Sequence, residues 1–154
     1  MSADLLAHLL VADDDEEDRM LVRDALRECD VPKEVRFVQD GEEALDYLHG
    51  RGRWACHLGR PLPDLILLDL KMPRKGGQEV LREIKAHPRL RRIPVVMLTT
   101  SASEEDIGQC YELGASSYIV KPVFFDQWVD AMASLQSYWF RVVTLRPEGY
   151  RDVP

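Results

Sequence analysis

Apolar residues fall along this chain in short unbroken runs, separated by longer stretches of helical period. Five runs read as strands: His8 to Val11, Glu34 to Val38, Leu65 to Leu68, Val95 to Leu98 and Ser117 to Val120. The run Leu65-Ile66-Leu67-Leu68 lacks polar alternation, as expected when both faces of a strand are covered. Between the runs lie five helical patterns. The first spans Glu16 to Glu28, with Asp15 as N-cap and Met20, Leu21, Ala25 and Leu26 on the inward face. The second runs Glu42 to Leu48 before Gly50, and the third Gln78 to His87, with Val80, Leu81 and Ile84 inward and Pro88 as its stop. Ser103 with Asp106 opens the fourth as a capping box and Gly114 closes it, while the fifth covers Phe125 to Tyr138. Alternation of this kind predicts an α/β doubly wound, five-stranded parallel sheet, most simply in the order 2-1-3-4-5.

The 154 residues suit one domain, with a core over about 8–139 and a C-terminal extension over 140–154. A net charge of −7 disfavours nucleic acid and anionic membrane surfaces as partners. Cys29, Cys56 and Cys110 share no metal-binding spacing and read as reduced thiols of a cytoplasmic protein. No apolar run reaches the roughly 18 residues of a membrane span, and the start carries no export signal. Gly50 to Pro63, which holds Arg51, Arg53, His57 and Arg60, is long for a connection in such a fold. It reads either as a mobile solvated insertion or as a recognition loop.

In an open parallel sheet, ligands bind beyond the carboxyl ends of the strands where the strand order reverses. The first strand exits into Asp13-Asp14-Asp15, the third into Asp69, the fourth into Thr99-Thr100-Ser101 and the fifth into Lys121-Pro122. In the order 2-1-3-4-5 the first and third strands are neighbours, about 4.8 Å apart, so Asp13, Asp14 and Asp69 form one cluster. Such carboxylates repel one another unless a cation sits among them. An all-oxygen set without His or Cys favours Mg2+. Each part also has a plainer reading: Asp13 and Asp14 as acids before a helix, Asp69 as a turn residue, Thr99 as a residue of high strand propensity. Lys121 is placed to reach Asp69 or an oxygen bound on it, and a cis Lys121-Pro122 bond is expected to help aim it. Together the parts describe phosphoryl transfer to a carboxylate nucleophile, with fixed donors from Thr99 and Lys121.

The segments Val11-Ala12-Asp13-Asp14-Asp15, Leu67-Leu68-Asp69-Leu70-Lys71-Met72-Pro73 with Gly77, Leu98-Thr99-Thr100-Ser101 and Gly114 through Pro122 resemble the receiver domain of two-component response regulators, a flavodoxin-like fold. The resemblance covers about His8 to Trp139. It implies that Asp69 accepts a phosphoryl group from a sensor histidine kinase, giving a 4-aspartylphosphate. It further implies that Asp13, Asp14, Asp69 and the Lys71 carbonyl hold Mg2+, that Thr99 and Lys121 contact the phosphoryl group, and that Tyr118 is an aromatic switch residue. Two departures stand out. Lys75-Gly76-Gly77 replaces the Asp-Gly often found after the Met-Pro turn, and Lys71 places a cation at the pocket mouth.

The chain end, Ser137 to Leu145, carries aromatics followed by a strand-like run. It reads either as folding back on its own domain or as a two-fold homodimer contact that buries Trp139, Phe140, Val143 and Leu145. Here the chain is similar, more narrowly, to the single-domain response regulators of cyanobacterial and bacterial phytochromes, which implies a bacteriophytochrome as the kinase. A dehalogenase-type phosphatase needs a second Asp two positions after the nucleophile, where Lys71 stands, and a flavodoxin-like FMN carrier needs a phosphate-cradling loop where Asp13-Asp14-Asp15 stands. A scaffold of receiver fold that has lost phosphorylation is the remaining alternative. On this reading the protein is a switch and not a turnover enzyme.

Overall fold

In the computed structural model, which describes residues 6–145, five parallel strands form one sheet in the order β2-β1-β3-β4-β5. The strands are β1 (Ala7–Ala12), β2 (Lys33–Val38), β3 (Leu65–Leu68), β4 (Val95–Thr99) and β5 (Ser117–Val120). The helices are α1 (Glu16–Arg27), α2 (Gly41–His49), α3 (Gly77–Ala86), α4 (Glu104–Glu112) and α5 (Phe125–Ser137). Alternation along each central strand splits the core in two. Leu9, Val11, Leu65, Leu67, Val96 and Leu98 pack with Val22 and Leu26 of α1 and Trp128 and Met132 of α5. Leu10, Ile66, Leu68, Val95 and Met97 pack on the opposite face against Leu45 of α2, Leu81 and Ile84 of α3 and Cys110 of α4. Polar alternation is therefore missing from the central strands because both faces are occupied.

The helix punctuation follows from side-chain caps. Asp15 accepts from the Asp18 backbone N–H at 3.1 Å, and Asp40 caps α2 by accepting from Glu43 N–H at 2.7 Å. At α4 only half of the expected capping box forms: Ser103 accepts from Asp106 N–H at 3.3 Å, but the Asp106 carboxylate turns to the Ser101 hydroxyl at 2.6 Å. Gly114 follows α4 at φ +106°, the left-handed conformation that a chiral side chain disfavours.

Three expectations are corrected. Met20 points outward at 47% exposure, while Ala25 and Leu26 lie inward as expected and their stripe continues to Val22, three and four residues before them. The segment after α5 is not strand-like: Tyr138–Val142 continues as a π-helical turn, and Val143 to Leu145 join no strand. Packing holds it there, since Trp139 and Phe140 lie half-buried against the α1/α5 core and Arg141 donates to the Asp30 carbonyl at 3.2 Å. The Lys121-Pro122 bond is trans. Residues 146–154 of the expected C-terminal extension lie outside the described residues.

The insertion between α2 and β3 is tied down. A 3-10 stretch, Gly52–His57, places Trp54 against the core, edge-on to Tyr47 at 4.9 Å, with its indole N–H donating to Glu43 at 3.0 Å. Among the described residues, no helix is long and apolar enough to cross a membrane.

Candidate functional site

The parallel register brings four strand ends to one edge. The Asp69 backbone N–H donates to the Ala12 carbonyl at 3.0 Å, and the Lys121 N–H donates to the Thr99 carbonyl at 2.7 Å, so the residues leaving β1 and β3, and β4 and β5, are laced in pairs. Asp13 and Asp69 are buried at 2% and 6% exposure, Thr99 is buried at the end of β4, and Asp14 is exposed. One carboxylate oxygen from each of Asp13, Asp14 and Asp69 lies within 4.8 Å of the others. All donors are carboxylate oxygens, one of them open to solvent, a set that fits a hard divalent cation which retains part of its water shell.

Lys121 is the electrostatic centre. Its ammonium, at 4% side-chain exposure, stands 2.7 Å from Asp13 Oδ2, 2.7 Å from Asp18 Oδ2 and 3.0 Å from Asp69 Oδ2. Burial alone depresses the Lys121 pKa, but hydrogen bonds to Asp13, Asp18 and Asp69 outweigh it and hold the pKa above the ordinary lysine value. Burial acts the other way on Asp13. It pushes the Asp13 carboxyl up to about 6 despite the hydrogen bonds from Lys121 and from the Asp15 backbone, with the nearby Asp69 charge adding to the rise. The other Asp69 oxygen, Oδ1, accepts from the Leu70 N–H at 2.7 Å, which fixes the carboxylate with its Oδ2 edge toward Lys121.

The loop after β3 is shaped by contact. A Cβ at Gly77 would overlap the Asp69 carbonyl, so α3 can begin this close to β3 only with glycine there. Arg74 takes the left-handed conformation at φ +68° and its Nε lies 3.4 Å from Asp40 Oδ2, so an ion pair accompanies a backbone state that usually calls for glycine. Lys71 lies on this loop with an exposed side chain.

On the α4 side, the Tyr118 hydroxyl donates to the Ser101 carbonyl at 2.8 Å, the Ser101 N–H reaches Thr99 Oγ1 at 3.5 Å, and the Ser101 hydroxyl donates to Asp106. Tyr118 is half-buried against the core and burial raises its pKa.

The structure thus brings together Asp13, Asp14, Asp69 and Lys121, and links Tyr118 to the loop that follows Thr99. Sequence reading missed Asp18 and Ser101. Asp18 is three residues after an N-cap, where an acid is ordinary, so no local pattern separates it from a capping residue.

The chain matches the response regulator receiver domain family over residues 9–133. It belongs to that family. Receiver domains of response regulators are signalling modules, and the relatives sharpen the picture. Response regulator Rcp1 of Synechocystis is 38% identical over 137 residues, covering 89% of this chain and 91% of that protein. The crystal structure of its Mn2+-bound form superposes with a TM-score of 0.83 at 37% identity, covering 92% of this chain and 99% of that one. Phosphorylated RcpA, a cyanobacterial phytochrome response regulator, gives a TM-score of 0.86 at 40% identity over 93% of this chain and 100% of that one. The bacteriophytochrome response regulator RtBRR is 43% identical, with a TM-score of 0.75, over 94% of this chain and 86% of that one. This chain is homologous to phytochrome response regulators, and its receiver architecture and strand order match theirs.

Proposed function

We propose that Asp69 is the phosphoacceptor, taking a phosphoryl group from a sensor histidine kinase of the bacteriophytochrome class. The observation that carries this reading is the Asp69 carboxylate, buried, with Oδ2 at 3.0 Å from the Lys121 ammonium and within 4.8 Å of oxygens from Asp13 and Asp14. One Asp69 oxygen attacks phosphorus; the new O–P bond forms as the P–N bond of a phosphohistidine breaks, and the bonding pair leaves with the imidazole. Asp13, Asp14, Asp69 and the Lys71 carbonyl would hold Mg2+, which when bound supplies neutralisation of the phosphoryl charge. Lys121 and the Thr99 hydroxyl are the donors for the remaining phosphoryl oxygens.

The switch follows from charge. An aspartylphosphate adds about −1.5 to −2 charge. Thr99 moves toward it, the Ser101 N–H loses its weak tie to Thr99 Oγ1, and Tyr118, bonded to the Ser101 carbonyl, relays the shift to the α4–β5–α5 surface. The protein acts in the cytoplasm as one domain over 1–154, as a phosphoprotein switch whose only chemistry is its own phosphorylation and dephosphorylation. Its output is a protein contact. A homodimer through Trp139, Phe140, Val143 and Leu145 is part of the reading; Val142, at 67% exposure, supports an open apolar surface there.

Incubation with acetyl phosphate and Mg2+, followed by intact mass, tests the acceptor. Wild type gains one phosphoryl group and Asp69→Asn gains none. Equal gain by both, or none by wild type, returns the protein to a scaffold. Phosphotransfer from a purified bacteriophytochrome kinase tests the partner, and sedimentation at tens of micromolar tests the dimer, with a monomer in both phosphorylation states excluding it.

A further inference from the structure

We propose that Asp18 is a positioning residue that keeps the Lys121 ammonium beside Asp69 while phosphoryl transfer proceeds. This rests on the phosphoacceptor reading above. An ammonium has three protons, and here each has its own carboxylate: Asp13 and Asp18 at 2.7 Å, Asp69 at 3.0 Å. These partners are not equivalent. Asp13 and Asp69 both belong to the carboxylate cluster that fits a divalent cation, and Asp69 is the acceptor, so both have a second claim on their oxygens. Asp18 stands outside that cluster.

Its place on α1 explains how it can serve. Asp18 sits in the first helical turn, three residues after the N-cap Asp15, and its backbone N–H is satisfied by Asp15 Oδ1 at 3.1 Å. In a reciprocal capping box its carboxylate would return to the cap's own N–H, but the Asp15 N–H is taken by Asp13 Oδ1 at 3.0 Å. The Asp18 carboxylate is thereby free to cross to β5, a contact spanning 103 positions in sequence. At 21% side-chain exposure Asp18 closes the solvent side of a lysine that is itself nearly sealed. A long flexible ammonium costs rotamer entropy to fix, and a charge-assisted hydrogen bond from a rigid first turn supplies that restraint. With Asp18 gone, the ammonium loses the one anchor that does not compete with the phosphoryl chemistry. It then spends less time in position to stabilise the charge on the phosphoryl oxygens, which builds both when an Asp69 oxygen displaces the donor and when water displaces the Asp69 carboxylate.

The test measures phosphorylation by acetyl phosphate, aspartylphosphate decay and Mg2+ affinity in wild type, Asp18→Ala, Lys121→Ala and the double variant. Asp18→Ala is expected to slow both phosphorylation and decay by about five- to tenfold, the range for losing a charge-assisted bond still partly open to water, with Mg2+ affinity within about twofold of wild type. Asp18→Glu should recover part of each rate. In the Lys121→Ala background the Asp18 substitution should be silent. Rates equal to or faster than wild type, as expected if Asp18 were only a negative charge repelling the anionic donor, overturn the proposal. So does equal slowing with and without Lys121. Failure of wild type to gain phosphate at all would instead sink the phosphoacceptor reading and this inference with it.

Discussion

Asp13 carries a cost that folding imposes, and removing its charge should stabilise the metal-free protein. Burial pushes its carboxyl from the ordinary 3.8 up to about 6. A folded pKa above the unfolded one means that the folded state binds more protons between those values, so stability falls as pH rises through the window from 3.8 to about 6 and stays lowered above it. At roughly 1.4 kcal/mol per pH unit, the ionised carboxylate costs up to about 3 kcal/mol at neutral pH. Asp13→Asn approximates the protonated form in shape and keeps an oxygen for the Asp15 N–H, and Lys121 retains Asp18 and Asp69. The weaker bond to Lys121 is common to the amide and the protonated carboxyl and is already contained in the shift, so the variant should gain up to about 3 kcal/mol over wild type near neutral pH, with the gain shrinking toward zero at about pH 4. Urea unfolding with chelator across this range reads the difference. Adding Mg2+ should stabilise wild type and leave the variant almost unchanged, reversing the order. A variant less stable than wild type at neutral pH, or a gain that does not vary with pH, would refute the reasoning.

Further expectations follow from the loop after β3. Gly77→Ala should destabilise by about 2–4 kcal/mol in urea unfolding and slow phosphorylation, because the new methyl group displaces the Asp69 carbonyl; a change under about 1 kcal/mol would contradict it. Arg74→Gly relieves a left-handed conformation at the expense of an exposed ion pair to Asp40, so stability should rise by about 0.5–1 kcal/mol, and a loss would show that the ion pair outweighs the backbone. Lys71→Asn should change the lifetime of the aspartylphosphate, since this exposed cation stands two residues past Asp69; identical lifetimes would exclude any influence on the hydrolytic water.

The strand order was legible because runs such as Leu65 to Leu68 leave no polar face, and only helices on both sides satisfy that pattern. Asp69 stood out as an acid directly after such a run. Asp15 and Gly114 were legible because caps are local events, decided by a side chain and a backbone angle a few residues away. What escaped was set by distant contacts. Asp18 acts across 103 positions, yet in sequence it is one of several acids opening a helix. Val22 shares the stripe of Ala25 and Leu26, whereas Met20, five and six residues before them, turns outward although it is as apolar. The segment after Ser137 has strand-forming residues but no free strand to pair with, and Trp139 and Phe140 find the core by staying helical. The insertion from Gly50 to Pro63 is solvated over most of its length, and what was illegible is its anchor, Trp54 on Tyr47 and Glu43, which depends on side chains from another element.

On the proposed function, the Asp69 side chain, and no other, should take a phosphoryl group beside a divalent cation. Phosphorylated protein should be reduced with borohydride, which converts an acyl phosphate to the alcohol, then digested and sequenced by mass spectrometry, with and without Mg2+. Reduction is expected at position 69 alone and only where Mg2+ was present. Label at Asp13, Asp14 or Asp18, or label at Asp69 that is independent of the metal, would contradict it.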